Sequence, residues 1–127
     1  VYTGTHDNET LTWLDGDITP EERHMVREYL WNFHDDEKGI CRNMIRLGYG
    51  SVAEDVLIPI QDYTASFDKF ARINQPSTLG TNWKWRLKEG QFSKELQKEN
   101  ADAGNQIRKE KTGPGSGGRE KGIKFNI

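Results

Sequence analysis

Apolar residues recur at helical spacing in two stretches of the chain and run together in a third. Met25, Val26, Tyr29, Leu30 and Phe33 fall three and four apart, the spacing of one helix face. Thr19-Pro20-Glu21-Glu22 precedes them. It offers a threonine N-cap, a proline in the first turn and a glutamate at the capping-box position. The polar run His34-Asp35-Asp36-Glu37 is predicted to end this helix, and Trp31 is expected to pack within it. Ile40, Cys41, Met44 and Ile45 then predict the buried side of a second helix, starting near Gly39 or Ile40 and stopped by Gly48 and Gly50.

Val1 to Thr5 read as a short strand, with His6, Asp7 and Asn8 directly after it. Val56-Leu57-Ile58-Pro59-Ile60 is apolar without alternation, which predicts a strand buried on both faces, as in a parallel sheet. Pro59 is tolerable near the end of such a strand, and Gln61 and Asp62 follow at once. Residues 63–90 predict a long irregular stretch containing Asn74-Gln75-Pro76 and Asn82-Trp83-Lys84-Trp85-Arg86. From Phe92 to Lys111 the pattern is a polar helix anchored by Phe92, Leu96, Ala103 and Ile107. The Gly-rich stretch 112–127 is expected to be a disordered tail.

Strands alternating with helices predict an α/β fold with parallel pairing. Polar groups placed after each strand fit the C-terminal rim of a (β/α)8 TIM barrel, where active sites are built. A whole barrel takes about 250 residues. This chain of 127 residues is therefore expected to be the C-terminal portion of one, about the last two βα units over residues 1–111 and incomplete on its own. A start without Met agrees with a cut polypeptide.

Composition narrows the function classes. The chain is 33% hydrophobic and 30% charged, and its mean hydropathy of −0.90 allows only a thin core. A net charge of −2 supplies no basic field, so no nucleic-acid partner is expected. No apolar run approaches the roughly 18 residues of a spanning helix, so no membrane partner is expected either. Cys41 is the one cysteine and can form no internal disulfide. Its apolar helical setting predicts a structural thiol, and a cytoplasmic, reducing compartment is the expectation.

His6-Asp7-Asn8 admits two readings. One is an Asx-type turn with a surface histidine. The other is a carboxylate, an imidazole and an amide converging on adjacent hydroxyls, as on a sugar ring. A metal site is not expected, because one His-Asp pair lacks the ligand count and His24 and His34 lie on another segment. Trp83 and Trp85, beside Asn82 and Arg86, are either loop anchors or stacking surfaces for a sugar. Asp62 either orients Arg72 or Arg86, or meets ligand. The catalytic set is incomplete: glycoside chemistry takes two flanking carboxylates, and Asp7 is a single candidate.

YTGTHDNETL at 2–11, IPIQDY at 58–63, ARINQP at 71–76 and NWKWRL at 82–87 together resemble the C-terminal part of the 4-alpha-glucanotransferases, also called amylomaltases or disproportionating enzymes. The resemblance implies a (β/α)8 barrel and retaining transfer of α-1,4-glucan segments between maltooligosaccharides, with no cofactor. In that family the nucleophilic Asp and the acid/base Glu lie upstream of this stretch. Asp7 matches the third catalytic carboxylate, which binds hydroxyls of the distorted donor sugar, and His6 matches the histidine beside it. Asn8, Asn74, Trp83 and Trp85 are implied substrate contacts, and Asp62, Arg72 and Arg86 are implied supports. The fragment's natural partner is then the N-terminal part of the same enzyme. Four positions depart from the family: Ser77 and Thr81 replace common glycines, Ile73 a usual Met, and Leu14 a frequent aromatic. The rival expectation is a non-catalytic glucan-binding or docking module using His6, Trp83 and Trp85.

Overall fold

The structure, a computed structural model, describes residues 1–11, 18–64, 71–112 and 123–126, with side chains through residue 107. Trp13 and Leu14 lie outside the described residues. The elements in order are α1 (Pro20–Leu30), α2 (Glu37–Gly50), β1 (Val56–Pro59), α3 (Ile60–Thr64), α4 (Lys94–Thr112) and β2 (Ile123–Asn126).

α1 starts where its capping box predicts. Thr19 Oγ1 accepts from the Glu22 N–H at 3.2 Å, and Glu22 Oε2 accepts from the Thr19 N–H at 2.8 Å. The helix stops at Leu30, earlier than the polar run, because Trp31 turns left-handed at φ 52° and its N–H closes on the Arg27 and Glu28 carbonyls. The predicted face of α1 is not a core face. No residue of α1 is fully buried; Val26 and Leu30 touch the core, whereas Met25 and Tyr29 are exposed. Trp31 is 84% exposed and does not pack as expected. Periodicity defines a face of a helix, and what covers that face is a separate matter of long-range packing.

α2 begins two residues before the predicted start, at Glu37, because Asp36 caps it by accepting from the Gly39 N–H at 2.9 Å. Ile40, Cys41 and Ile45 are buried as expected, with Tyr49 added, and Met44 packs partly against them. They meet Val56 and Ile58 of β1, Ile60 and Tyr63 of α3, and Ile107 of α4 in one cluster. Tyr49 and Tyr63 join their hydroxyls inside it, and burial pushes both phenols up. Burial pushes the Cys41 thiol up to about 12, so it is a packed group and not a thiolate at neutral pH.

β1 differs from the expectation in two ways. Its burial alternates, with Val56 and Ile58 covered and Leu57 and Pro59 half-covered, so the strand is not buried equally on both faces. Ile60 leaves the strand to start α3, and Gln61 and Asp62 are thus helical and buried. Pairing is parallel, as predicted. β2 runs beside β1 with Ile58 opposite Phe125. Val1 to Thr5 form no full strand; Tyr2 makes a single parallel bridge to Leu57, whose N–H donates to the Val1 carbonyl at 2.9 Å. Ile123–Asn126 were expected to have no regular structure, yet they form β2, because β1 offers an open ladder edge that any extended segment can satisfy.

Candidate functional site

Three loops meet at the end of the parallel pair: residues 3–11 after the Tyr2 bridge, 71–76 after α3, and 82–86. Asn8 forms the turn of the first loop. Its Oδ1 accepts from the Thr5 N–H at 2.9 Å and from the Thr5 hydroxyl at 2.8 Å. The Asn8 side chain thus closes back on the preceding Thr5 and does not cap a following turn, unlike the expected Asx-type turn. His6 Nε2 lies 3.3 Å from Asp7 Oδ2, and both side chains are about half exposed. Asn74 Nδ2 donates to the other oxygen, Asp7 Oδ1, at 2.6 Å. Two polar side chains on opposite oxygens set the plane of the Asp7 carboxylate.

Arg72 holds the same loop with three bonds. Its Nη1 donates to Glu9 Oε1 at 2.6 Å, Nη2 to the Asp7 carbonyl at 2.8 Å and Nε to the Asn74 carbonyl at 2.8 Å. A planar guanidinium delivers three donors in fixed directions, which an ammonium cannot. Arg86 does similar work further along. Its Nη1 donates to the Trp83 carbonyl at 3.0 Å and to the Trp85 carbonyl at 2.7 Å.

The two tryptophans line one cleft and differ in exposure. Trp85 packs partly on the core. Trp83 is 57% exposed and sits with its ring centroid 5.2 Å from that of His6. Its backbone is left-handed at φ 63°, a conformation that costs a non-glycine residue about 1–3 kcal/mol and persists only where the surroundings over-determine it. Here they do: the Trp83 N–H donates to the Ile73 carbonyl at 2.7 Å while Arg86 holds its carbonyl. Beside these groups opens a cleft of about 460 Å³ whose lining includes His6, Asn8, Glu9, Gln61, Trp83 and Arg86. Asp7, Arg72 and Asn74 stand next to that cleft and not on its wall.

Asp62 does not orient Arg72 or Arg86. Its Oδ2 accepts from the Thr3 hydroxyl and its Oδ1 from the Leu11 N–H, each at 2.8 Å. Burial pushes its carboxyl above the ordinary carboxylate value, and these two bonds hold it back in part. Gln61 beside it is 1% exposed, and its Oε1 finds no hydrogen-bond partner among the described residues. Among the described residues no group of His, Cys, Asp and Glu could hold a metal ion, and no helix is long and apolar enough to cross a membrane.

A family model described as 4-alpha-glucanotransferase matches residues 1–93. The chain belongs to the 4-alpha-glucanotransferase family. It is 40% identical over 97 residues to the 4-alpha-glucanotransferase of Clostridium butyricum, covering 76% of this chain and 19% of that one. Against the chloroplastic/amyloplastic enzyme of Solanum tuberosum it is 41% identical over 88 residues, 68% of this chain and 15% of that one. Against the Thermus thermophilus enzyme it is 38% identical over 99 residues, 75% of this chain and 19% of that one. The fold matches that of an amylomaltase from Streptococcus agalactiae, solved in complex with acarbose, with a TM-score of 0.75 over 84% of this chain and 21% of that one; identity is 24%. The chain thus spans less than a fifth of the length of these curated relatives.

Within this member of the glucanotransferase family the structure adds groups that the sequence pattern did not single out. Glu9 is the carboxylate that Arg72 grips, and its signal was the second acid two residues after Asp7. Asn82 ties the loop between Gln75 and Thr78: its Oδ1 accepts from the Gln75 N–H at 2.9 Å and its Nδ2 donates to the Thr78 carbonyl at 3.0 Å. Ser77 is left-handed at φ 64°. Glycine would adopt that conformation without strain.

Proposed function

We propose that the protein carrying this chain is a 4-alpha-glucanotransferase that moves α-1,4-glucan segments between maltooligosaccharides with retention of configuration, and that this chain is the last part of its (β/α)8 barrel. The observation that carries the reading is the Asp7 carboxylate, flanked by His6 on one oxygen and Asn74 on the other, next to the exposed indole of Trp83. In retaining glycoside chemistry one carboxylate attacks the anomeric carbon while another group protonates the leaving oxygen, and the acceptor sugar's hydroxyl then takes the place of water. Those two groups belong to the part of the enzyme that lies outside this chain. Asp7 takes the third role, accepting hydrogen bonds from ring hydroxyls of the donor sugar as it flattens towards an oxocarbenium ion. An ionised acceptor strengthens such bonds, and strengthening in the transition state raises kcat. His6 supplies a further polar contact to the same ring, and Trp83 a stacking face.

The 127-residue chain alone is accordingly expected to be catalytically silent. The reading takes the cytoplasm as the compartment, supported by the lone buried thiol of Cys41. Its test is Asp7→Asn in the full-length protein. Bonds to sugar hydroxyls that strengthen in the transition state are worth several kcal/mol, so kcat in maltotriose disproportionation is expected to fall about a thousandfold with KM changed little. A near-normal kcat in this variant would sink the assignment.

A further inference from the structure

The loop that carries His6, Asp7 and Glu9 is tied at both ends to one buried carboxylate. Thr3 stands before the loop and Leu11 after it. The Thr3 hydroxyl donates to Asp62 Oδ2 and the Leu11 N–H to Asp62 Oδ1, across 59 and 51 residues of sequence. Asp62 is 2% exposed and lies in α3, directly after β1. A carboxylate so placed is costly unless its oxygens are satisfied, and among the described residues no Lys or Arg pairs with it. Its two oxygens lie in one rigid plane, so together they fix where residues 3 and 11 stand relative to the end of β1. Arg72 grips the same loop in the middle, at the Asp7 carbonyl and at Glu9. The loop is therefore held from beneath at its two feet and from the side at its crest.

We infer that Asp62 is a positioning residue of this site: it sets the height and direction of the Asp7 carboxylate by clamping Thr3 and Leu11, and it touches no sugar itself. The inference rests on the reading of Asp7 given above. Asp62 is 2% exposed and both its oxygens are taken by Thr3 and Leu11, whereas the Asp7 side chain is about half exposed, which separates the two in role. Misplacing a reacting group by about 1 Å is enough to lower a rate roughly a hundredfold, so a clamp of this kind acts on kcat more than on binding.

The test uses the full-length protein, with kcat, KM and melting temperature measured for Asp62→Ala, Asp62→Asn, Thr3→Val and, as reference, Asp7→Asn. Asp62→Ala removes both bonds and is expected to lower kcat about a hundredfold with KM within about threefold. Asp62→Asn restores most of the loss, since an amide can accept from Leu11 with its oxygen and donate to the Thr3 hydroxyl with its nitrogen. Thr3→Val removes one bond, nearly isosterically, and is expected to lower kcat about tenfold at an unchanged melting temperature. Asp62→Ala with a kcat near wild type overturns the inference, provided Asp7→Asn is inactive. Should Asp62→Ala fail to fold, Thr3→Val decides: an unchanged kcat there overturns the inference. Full activity in Asp7→Asn overturns the underlying reading and this inference with it, a pattern distinct from failure of the clamp alone.

Discussion

The core around α2 and β1 and the rim around Asp7 are held by different forces. In the core, Ile40, Cys41, Ile45 and Ile58 are closed off from water and packed on one another, and the stabilising term is apolar area removed from solvent. At the rim, His6, Asp7, Glu9 and Trp83 stay about half exposed. The loop of His6, Asp7 and Glu9 is held by bonds of Arg72, Asn74 and Asp62 that reach across more than fifty residues of sequence, and Trp83 by Ile73 and Arg86. Groups left half exposed are not fixed by burial, so directional bonds fix them instead. The contrast implies that core substitutions should act on stability and rim substitutions on turnover.

The largest expected effect in the core is that of Ile58→Ala. Ile58 is 0% exposed, and removing its side chain is expected to cost about 3 kcal/mol of unfolding free energy in a denaturant titration. A loss below about 1 kcal/mol would remove the distinction between the regions. Arg72→Lys is the corresponding probe of the rim. Lysine keeps the charge but loses the fork, so kcat of the full-length protein is expected to fall about tenfold with the melting temperature unchanged. A drop in melting temperature without a drop in kcat would show that Arg72 serves the fold. The smallest effect is that of Ser77→Gly. Relief of the left-handed strain at φ 64° outweighs glycine's entropy, for a gain of about 0.5 kcal/mol in thermal unfolding with unchanged kcat.

A second contrast, between α1 and α2, bears on how much sequence can say. Both helices carry a capping residue and an apolar stripe, and both form. Yet α2 buries four residues and α1 none, leaving Tyr29 77% exposed. α1, PEERHMVREYL, is the more polar of the two, and β1, α3 and α4 reach the apolar face of α2.

The sequence by itself determined what depends on neighbours within a few residues. It marked the start of α1 through Thr19 and Glu22, the buried side of α2, and Ala103 and Ile107 as the points where α4 packs, since capping bonds close over three or four positions and helix faces repeat at that spacing. It also marked which residue types make the rim, through four stretches that lie within the part matched by the glucanotransferase family model. Only the tertiary structure decided what those residues do for one another. Arg72 went to Glu9 and the Asp7 carbonyl, Asp62 to Thr3 and Leu11, Trp83 outward and Trp85 inward, and residues 123–126 to the edge of β1. A guanidinium, a carboxylate or an open strand edge accepts any suitable partner within about 3 Å, and spacing along a chain does not encode which distant partner comes within that reach.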